Sequence, residues 1–374
     1  MPIGPGERRI RRGRQGPVSS RAQMVGAQRI LRTCWFGAAV AGLVIVAACS
    51  SGTRVRAVKR AAIPTTTQAT IPPPAPATFP LTGLAVDDKG KAARPALSVK
   101  VDNAAGAFPQ AGLNDADIVT EELVEGDLTR LMATFESHDS ALVGPIRSAR
   151  PVDADLLREL GGGIFAYSGA AAGEVAPVKD HSTATLLSYD DNHEGFQRLR
   201  GRPAPHHVFA STADLYGVGA KRGAQITPPP QLFRYGAAGP GQPATNVVVP
   251  MSSQLIATWG WNATTRRYER KQGGRPDTLI DGSVVSTTNI VVLSVEIRGT
   301  GIFDAAHNED PLVVVIGSGP AWVVRDGQVV SCQWQRPNYG TPMRLMDANG
   351  ADVNLQTGTT WLELLPRGRQ PAFS

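Results

Sequence analysis

An α+β or α/β N-terminal domain, a sheet with packed helices, followed by a mostly β C-terminal domain is the architecture predicted by this 374-residue sequence. Three observations predict it. Residues 80–222 mix strand-like and helix-like hydrophobic patterns. Residues 246–366 hold short apolar runs separated by Asp281-Gly282, Asp326-Gly327 and Asn349-Gly350, turn pairs that tolerate positive φ. The length suits two domains of roughly 100–200 residues each, and 42% hydrophobic with 19% charged residues is a globular balance.

The first element is a targeting segment. Of 38 basic and 32 acidic side chains, eight arginines (Arg8, Arg9, Arg11, Arg12, Arg14, Arg21, Arg29, Arg32) and one acid (Glu7) lie in residues 1–48, leaving 30 and 31 for the remainder. The overall charge of +6 is therefore a property of the leader, and nucleic acid is not an expected partner. An uncharged, largely apolar run from Trp35 to Ala48 follows, about half the length of a membrane span. Residues 1–48 read as a signal peptide, with Met1 and Met24 both open as the start. Val46-Ala47-Ala48-Cys49 resembles a bacterial lipobox, which implies cleavage before Cys49 and a diacylglyceryl group on its thiol.

Residues 49–79 then read as a tether, because Pro64, Pro72, Pro73, Pro74 and Pro76 alternate with Thr and Ala without hydrophobic periodicity. With Cys34 in the leader and Cys49 acylated, Cys332 is the one cysteine of the folded part. No disulfide follows, and Cys332 in Val329–Trp334 reads as a small buried hydrophobe. Neither a metal site nor a cofactor is expected, since zinc-spaced Cys and His are missing from the mature chain and Gly169–Gly173 lacks a P-loop's Gly-Lys ending.

In residues 80–222, Ala96–Val101 alternates with period two and ends in Asp102-Asn103, a strand and a turn. Asp117–Glu125 fits helix or strand, and Gly126-Asp127 with the run Leu128–Glu136 favours a hairpin. From Pro151 the spacing of Val152, Leu156, Leu157 and Leu160 is helical, closed by Gly161-Gly162-Gly163. Ile164–Tyr167 reads as a buried strand. The Pro- and Gly-rich stretch 223–245 reads as an inter-domain linker, 246–366 as the β domain and 367–374 as a tail.

The candidate ligand-binding residues are Arg147, Arg150, Arg130, Asn103 and Glu125. Arg147 and Arg150 precede the helix at Pro151, where free N–H groups and guanidinium forks together favour phosphate or carboxylate. Ion pairing with Asp153 or Glu121 is the alternative use of these arginines. The candidate catalytic residues are Asp102, Glu121 and His206: an extended Thr120–Glu125 puts Glu121 and Glu125 on one face, with Glu122 pointing away, and histidine is the natural proton shuttle.

Leu81–Leu84, Val101–Asn103, Pro109–Leu113, Ala116–Val119, Glu125-Gly126, Thr129-Arg130 and above all Gly144–Pro151 resemble the YerB-like bacterial lipoproteins. The likeness continues through Pro205-His206, Asn289–Val292 and Gly317–Gly319. It implies an envelope lipoprotein with two domains of unknown function. The chain departs from the family pattern at His207, where Asn usually stands, and at Gly273–Asp277, a turn that often carries histidine. The expectation is thus a lipid-anchored protein on the extracytoplasmic face of the membrane. Its partners would be an anionic or sugar-containing cell-wall ligand or an envelope protein. The alternative is a hydrolase or transferase acting on envelope polymer.

Overall fold

Residues 77–374, apart from 238 and 305, are described by a computed structural model. The expected signal peptide, Cys49 and the tether as far as Pro76 lie outside the described residues. The body begins slightly before the expected boundary: Thr78 bridges to Ala85 and Phe79 is 2% exposed.

One mixed sheet of twelve strands organises the protein. Its main path uses β1 Leu97–Asp102, β2 Ile118–Leu123, β3 Thr129–Phe135, β4 Ile164–Tyr167 and β5 Thr185–Ser188. It continues with β6 Asn289–Phe303, β7 Gly317–Arg325, β8 Gln328–Arg336, β9 Arg344–Met346 and β10 Thr360–Pro366. The spatial order is β9-β8-β7-β6-β10-β2-β3-β1-β4-β5. The ambiguous segment after Asp117 is a strand, and β2 pairs antiparallel with β3 as the expected hairpin. The seam between the two sequence blocks is the parallel pair β2–β10, with Ile118 opposite Thr360 and Glu121 opposite Glu363.

Helices α1 Asp153–Glu159 and α2 Ala172–His181 cover one face of this sheet. There Leu156, Leu157, Val178, Phe165, Leu362 and Leu364 form one hydrophobic cluster. Against the other face lie α3 Thr212–Lys221 and a six-stranded sheet that includes Asn246–Val249, Ala257–Asn262 and Arg267–Gln272. Val99, Leu131, Leu215, Trp259, Tyr268 and Trp361 belong to this second cluster. Burial of each such side chain stabilises the fold by about 1.5–3 kcal/mol before entropy is counted.

Because both faces are covered, the polar half of the alternating β1 is not solvated. Lys100 is fully buried, with its Nζ 2.7 Å from Asp153 Oδ1 and in contact with Glu122. Burial lifts Glu122 to about 7 even against the pull of Lys100. The expected stop of α1 is present: Gly161, Gly162 and Gly163 all have positive φ, and a Cβ on Gly163 would sit 2.3 Å from the Ala96 carbonyl oxygen. Cys332 is buried, which pushes its thiol up to about 12.

The stretch 223–245 is fastened to the body, since Leu232 and Phe233 are buried and Gln242–Pro243 pairs with β8. Ala372–Phe373 in the expected tail adds a strand beside Asn246–Val249. Among the described residues no helix is long and apolar enough to cross a membrane.

Candidate functional site

The candidate site grows from the end of β1. The Gly144–Arg147 segment is strung alongside it: the Asp102 amide donates to the Pro145 carbonyl at 2.9 Å, and the Arg147 amide to the Lys100 carbonyl at 2.9 Å. On its other side, the Ile146 amide donates to the Val208 carbonyl at 2.7 Å. Gly144 permits this close threading, because a Cβ there would lie 2.9 Å from the Val208 oxygen. The segment therefore draws Arg147 and the residues before Val208 to the same strand end.

Asp102 receives both. Its Oδ2 lies 2.7 Å from His206 Nδ1 and 3.2 Å from Arg147 Nε, while Oδ1 accepts the Ala104 amide at 3.1 Å. The carboxylate is 2% exposed as a residue, whereas the side chains of His206 and Arg147 retain 17% and 24% exposure. Gly106 closes the loop over the imidazole, where a Cβ would come within 2.6 Å of Nε2. Among the described residues nothing hydrogen-bonds the Arg147 guanidinium, whose Nε is buried and only ion-paired with Asp102. The result is a fork and an imidazole held from behind by one buried carboxylate, the arrangement that fixes a polar side chain for recognition or proton transfer.

The other two arginines are placed differently. Arg150 is spent on the fold: Nε is 2.8 Å from Glu125 Oε2, Nη2 contacts Glu125 Oε1, Nη1 donates to the Ala149 carbonyl at 2.8 Å, and Glu174 Oε2 is 3.3 Å away. These partners together hold its guanidinium above the ordinary range despite burial, and Arg150 with Arg130 holds Glu125 below its own. The N–H groups ahead of α1, expected to attract an outside anion, are already served from within, since the Arg150 amide donates to Asp153 Oδ2 at 2.7 Å. Arg130 faces Asp102 across the β1–β3 ladder and is 5% exposed, with Nε and Nη1 unpartnered. Burial, then the charge of Arg150, lowers its pKa to about 10.

Glu121 goes to the opposite face. The expectation that Glu121 and Glu125 share a face is corrected by the end of β2 at Leu123, after which Glu125 sits in a tight turn with Gly126 at φ 69°. Glu121 Oε1 accepts from Thr129 Oγ1 at 2.7 Å and Asn103 Nδ2 at 3.1 Å, and Oε2 lies 2.7 Å from Arg270 Nη2. Glu121 is therefore bonded into this network rather than to His206. Arg270 is completely buried and also holds Asp277 at 2.6 Å, with Trp361 stacked 4.9 Å from its carbon. Glu363, buried and with Glu121 and Arg270 as its charged neighbours, is raised well above the usual carboxylate range by that burial first.

Asn103 and Asp277 both line a cleft of about 700 Å³ formed by Asn103–Pro109 and Leu128 on one side and by residues 254–256 and 272–278 on the other. Arg270 and Glu363 are not among the candidates the sequence offers, and Asp277 figures there only as the end of the Gly273–Asp277 turn. A signal for Arg270 was present: in Arg267–Gln272 a strand of period two puts it on the same face as the inward Tyr268. No such signal marked Asp277, whose turn is legible but whose neighbours across the cleft are not. Among the described residues no three His, Cys, Asp or Glu side chains stand together as a metal site.

Residues 81–225 match the family model "Protein of unknown function (DUF3048) N-terminal domain", and residues 247–362 match its C-terminal counterpart. The chain belongs to the DUF3048 family. Its similarity to "Putative lipoprotein YerB" of Bacillus subtilis (strain 168) is 27% identity over 293 residues, covering 77% of this chain and 86% of that one. The crystal structure of YerB protein from Bacillus subtilis superposes with a TM-score of 0.69 at 24% identity, over 80% of this chain and 99% of that chain. The DUF3048 fold therefore has the architecture expected from the sequence, a mixed sheet with helices followed by mostly β structure. Both halves of the DUF3048 chain contribute to the main sheet, and both line the cleft.

Proposed function

We propose that this DUF3048 protein is a membrane-anchored, extracytoplasmic lipoprotein that binds an anionic or sugar-containing component of the cell envelope. The anchor reading rests on the lipobox-like Val46–Cys49 and on the name borne by the Bacillus subtilis relative. The observation that carries the binding reading is the Arg147 guanidinium, ion-paired with Asp102 at 3.2 Å through Nε and left without a hydrogen-bond partner, while His206 shares the same carboxylate oxygen. A preorganised fork recognises phosphate or carboxylate at a small ordering cost. The full chain in detergent micelles should rise in melting temperature with polyphosphate or anionic cell-wall fragments, and Arg147→Ala should remove the rise. An equal rise in the variant, or none in either protein, removes the reading.

A hydrolase or transferase is the second reading, favoured by the 2.7 Å contact between Asp102 and His206. In that role Asp102 would orient the imidazole and His206 Nε2 would take the proton. His206→Gln should then abolish release of products from cell-wall fragments while leaving their binding in place. Undiminished binding without any turnover by the unsubstituted chain leaves the binding role alone.

A further inference from the structure

Arg147 does not line the cleft between Asn103–Pro109 and residues 272–278, and the cleft adds acceptors that the Arg147 surface lacks. Around Arg147 the open groups are donors. In and behind the cleft, beside the Arg275 guanidinium at its lining, two acceptors are open: Asp277 Oδ1 has no hydrogen-bond partner, and neither has Oε1 of Gln110, whose amide nitrogen donates to the Asn103 side chain at 3.1 Å. Both residues are almost wholly buried, at 2% and 0% exposure. An unpaired buried acceptor is destabilising, so a ligand that brings a donor to it is favoured. Arg270 beside it gives Nη2 to Glu121 and Nη1 to the other oxygen of Asp277, and its own Nε is a buried donor without a partner.

The walls are apolar and incompletely covered. Phe108, Pro109, Leu128 and Pro276 line the cleft, and Ile256 at its rim is 48% exposed. A volume of about 700 Å³ lies inside the range of roughly 300–1,000 Å³ of small-ligand sites. The occupant must therefore combine a flat apolar face for these side chains with an edge rich in hydroxyl or amide N–H donors. A pyranose ring has that combination, with axial C–H groups on one face and hydroxyls around its edge.

The geometry points to the cleft as a binding site for an uncharged pyranose unit of a glycan, its apolar face against Phe108 and Pro109 and its hydroxyl or acetamido N–H donors directed to Asp277. This deepens the envelope-ligand reading above by giving the sugar part its own place, and it stands whether or not Arg147 binds an anion.

The test is calorimetric titration of the full chain in detergent micelles with uncharged oligosaccharides: chitotetraose, cellotetraose and maltotetraose. At least one should bind with a Kd of 1 mM or tighter, about −4 kcal/mol. Ile256→Asp, at an exposed rim position, and Phe108→Ala should each weaken that binding by about tenfold or more, and Asp277→Asn should weaken it likewise. Asp277→Asn also touches the Arg270 pair, so the rim variant decides if that protein fails to fold. No heat from any of the three sugars, or binding unchanged by both Ile256→Asp and Phe108→Ala, overturns the proposal. Polyphosphate titrated in parallel reads the Arg147 surface separately, so failure of one reading is visible without failure of the other.

Discussion

His206 Nδ1 lies 2.7 Å from Asp102 Oδ2, although 104 residues of chain separate them. The contact exists because Gly144–Arg147 is laid between β1 and the strand Val208–Ala210, so that both chain segments end at the same carboxylate. Asp102 therefore organises the site without being its exposed part.

Removing that carboxylate should do more than remove a charge. Asp102→Ala leaves Arg130 buried opposite an empty position and frees both His206 and Arg147. A loss of roughly 3 kcal/mol in urea unfolding is expected, together with loss of the polyphosphate-induced rise in melting temperature. Unchanged unfolding would show that the three groups do not depend on one another.

The paired arginines of Gly144–Pro151 should separate cleanly. Arg150→Ala strands Glu125, Glu174 and Asp310 around a vacated interior position and should cost about 3–5 kcal/mol. Arg147→Ala removes a partly exposed head that makes no hydrogen bond and should cost under about 1 kcal/mol. Chemical denaturation of the two variants side by side checks the contrast, and equal losses would contradict it.

Stability should fall as pH rises from about 4.5 to 7. Burial lifts Glu122, Glu136 and Asp310 each to about 7, from ordinary values of 4.5, 4.5 and 3.8. Within that window the native state holds protons that the unfolded chain has released, so the stabilisation is complete below the unfolded values and is lost as pH climbs through the folded ones. His138, raised by its hydrogen bond to Asp117, acts in the same direction somewhat higher. Melting temperatures should decline across pH 5–8. Glu122→Gln should flatten the decline, and a rise over this interval would refute the assignment.

The seam at β2–β10 couples the two halves through four registered pairs, from Ile118–Thr360 to Glu121–Glu363, with Trp361 buried beside Trp259. Calorimetry should accordingly show one cooperative transition for the body, and Trp361→Ala should lower it as a unit, by about 3–5 kcal/mol. Two separable transitions would mean that the halves melt independently.

Local patterns carried much of this outcome. The period-two run ending at Asp102, the hairpin around Gly126, the helical spacing after Val152 and its glycine stop all act within a few residues of chain, where backbone preference and side-chain direction suffice. The family could be read because the Gly144–Pro151 motif is itself contiguous. Of the site, Asp102, Arg147 and His206 were legible as candidates, but nothing in the chain said that they meet while Glu121 and Arg150 turn elsewhere.

Those choices belong to the tertiary structure. Whether an alternating strand shows its polar side to water depends on what is laid over it, and α1 and α2 turn Lys100 and Glu122 into buried charges that must pair. That Glu121 meets Arg270 depends on a sheet packed from the other half of the chain, and the turn after Leu123 takes Glu125 elsewhere. Sequence thus determined the elements, because these arise from short-range pattern. Only the packing of distant strands decided which charges are spent on the fold and which remain open to a ligand, because burial and pairing are properties of neighbours far away in the chain.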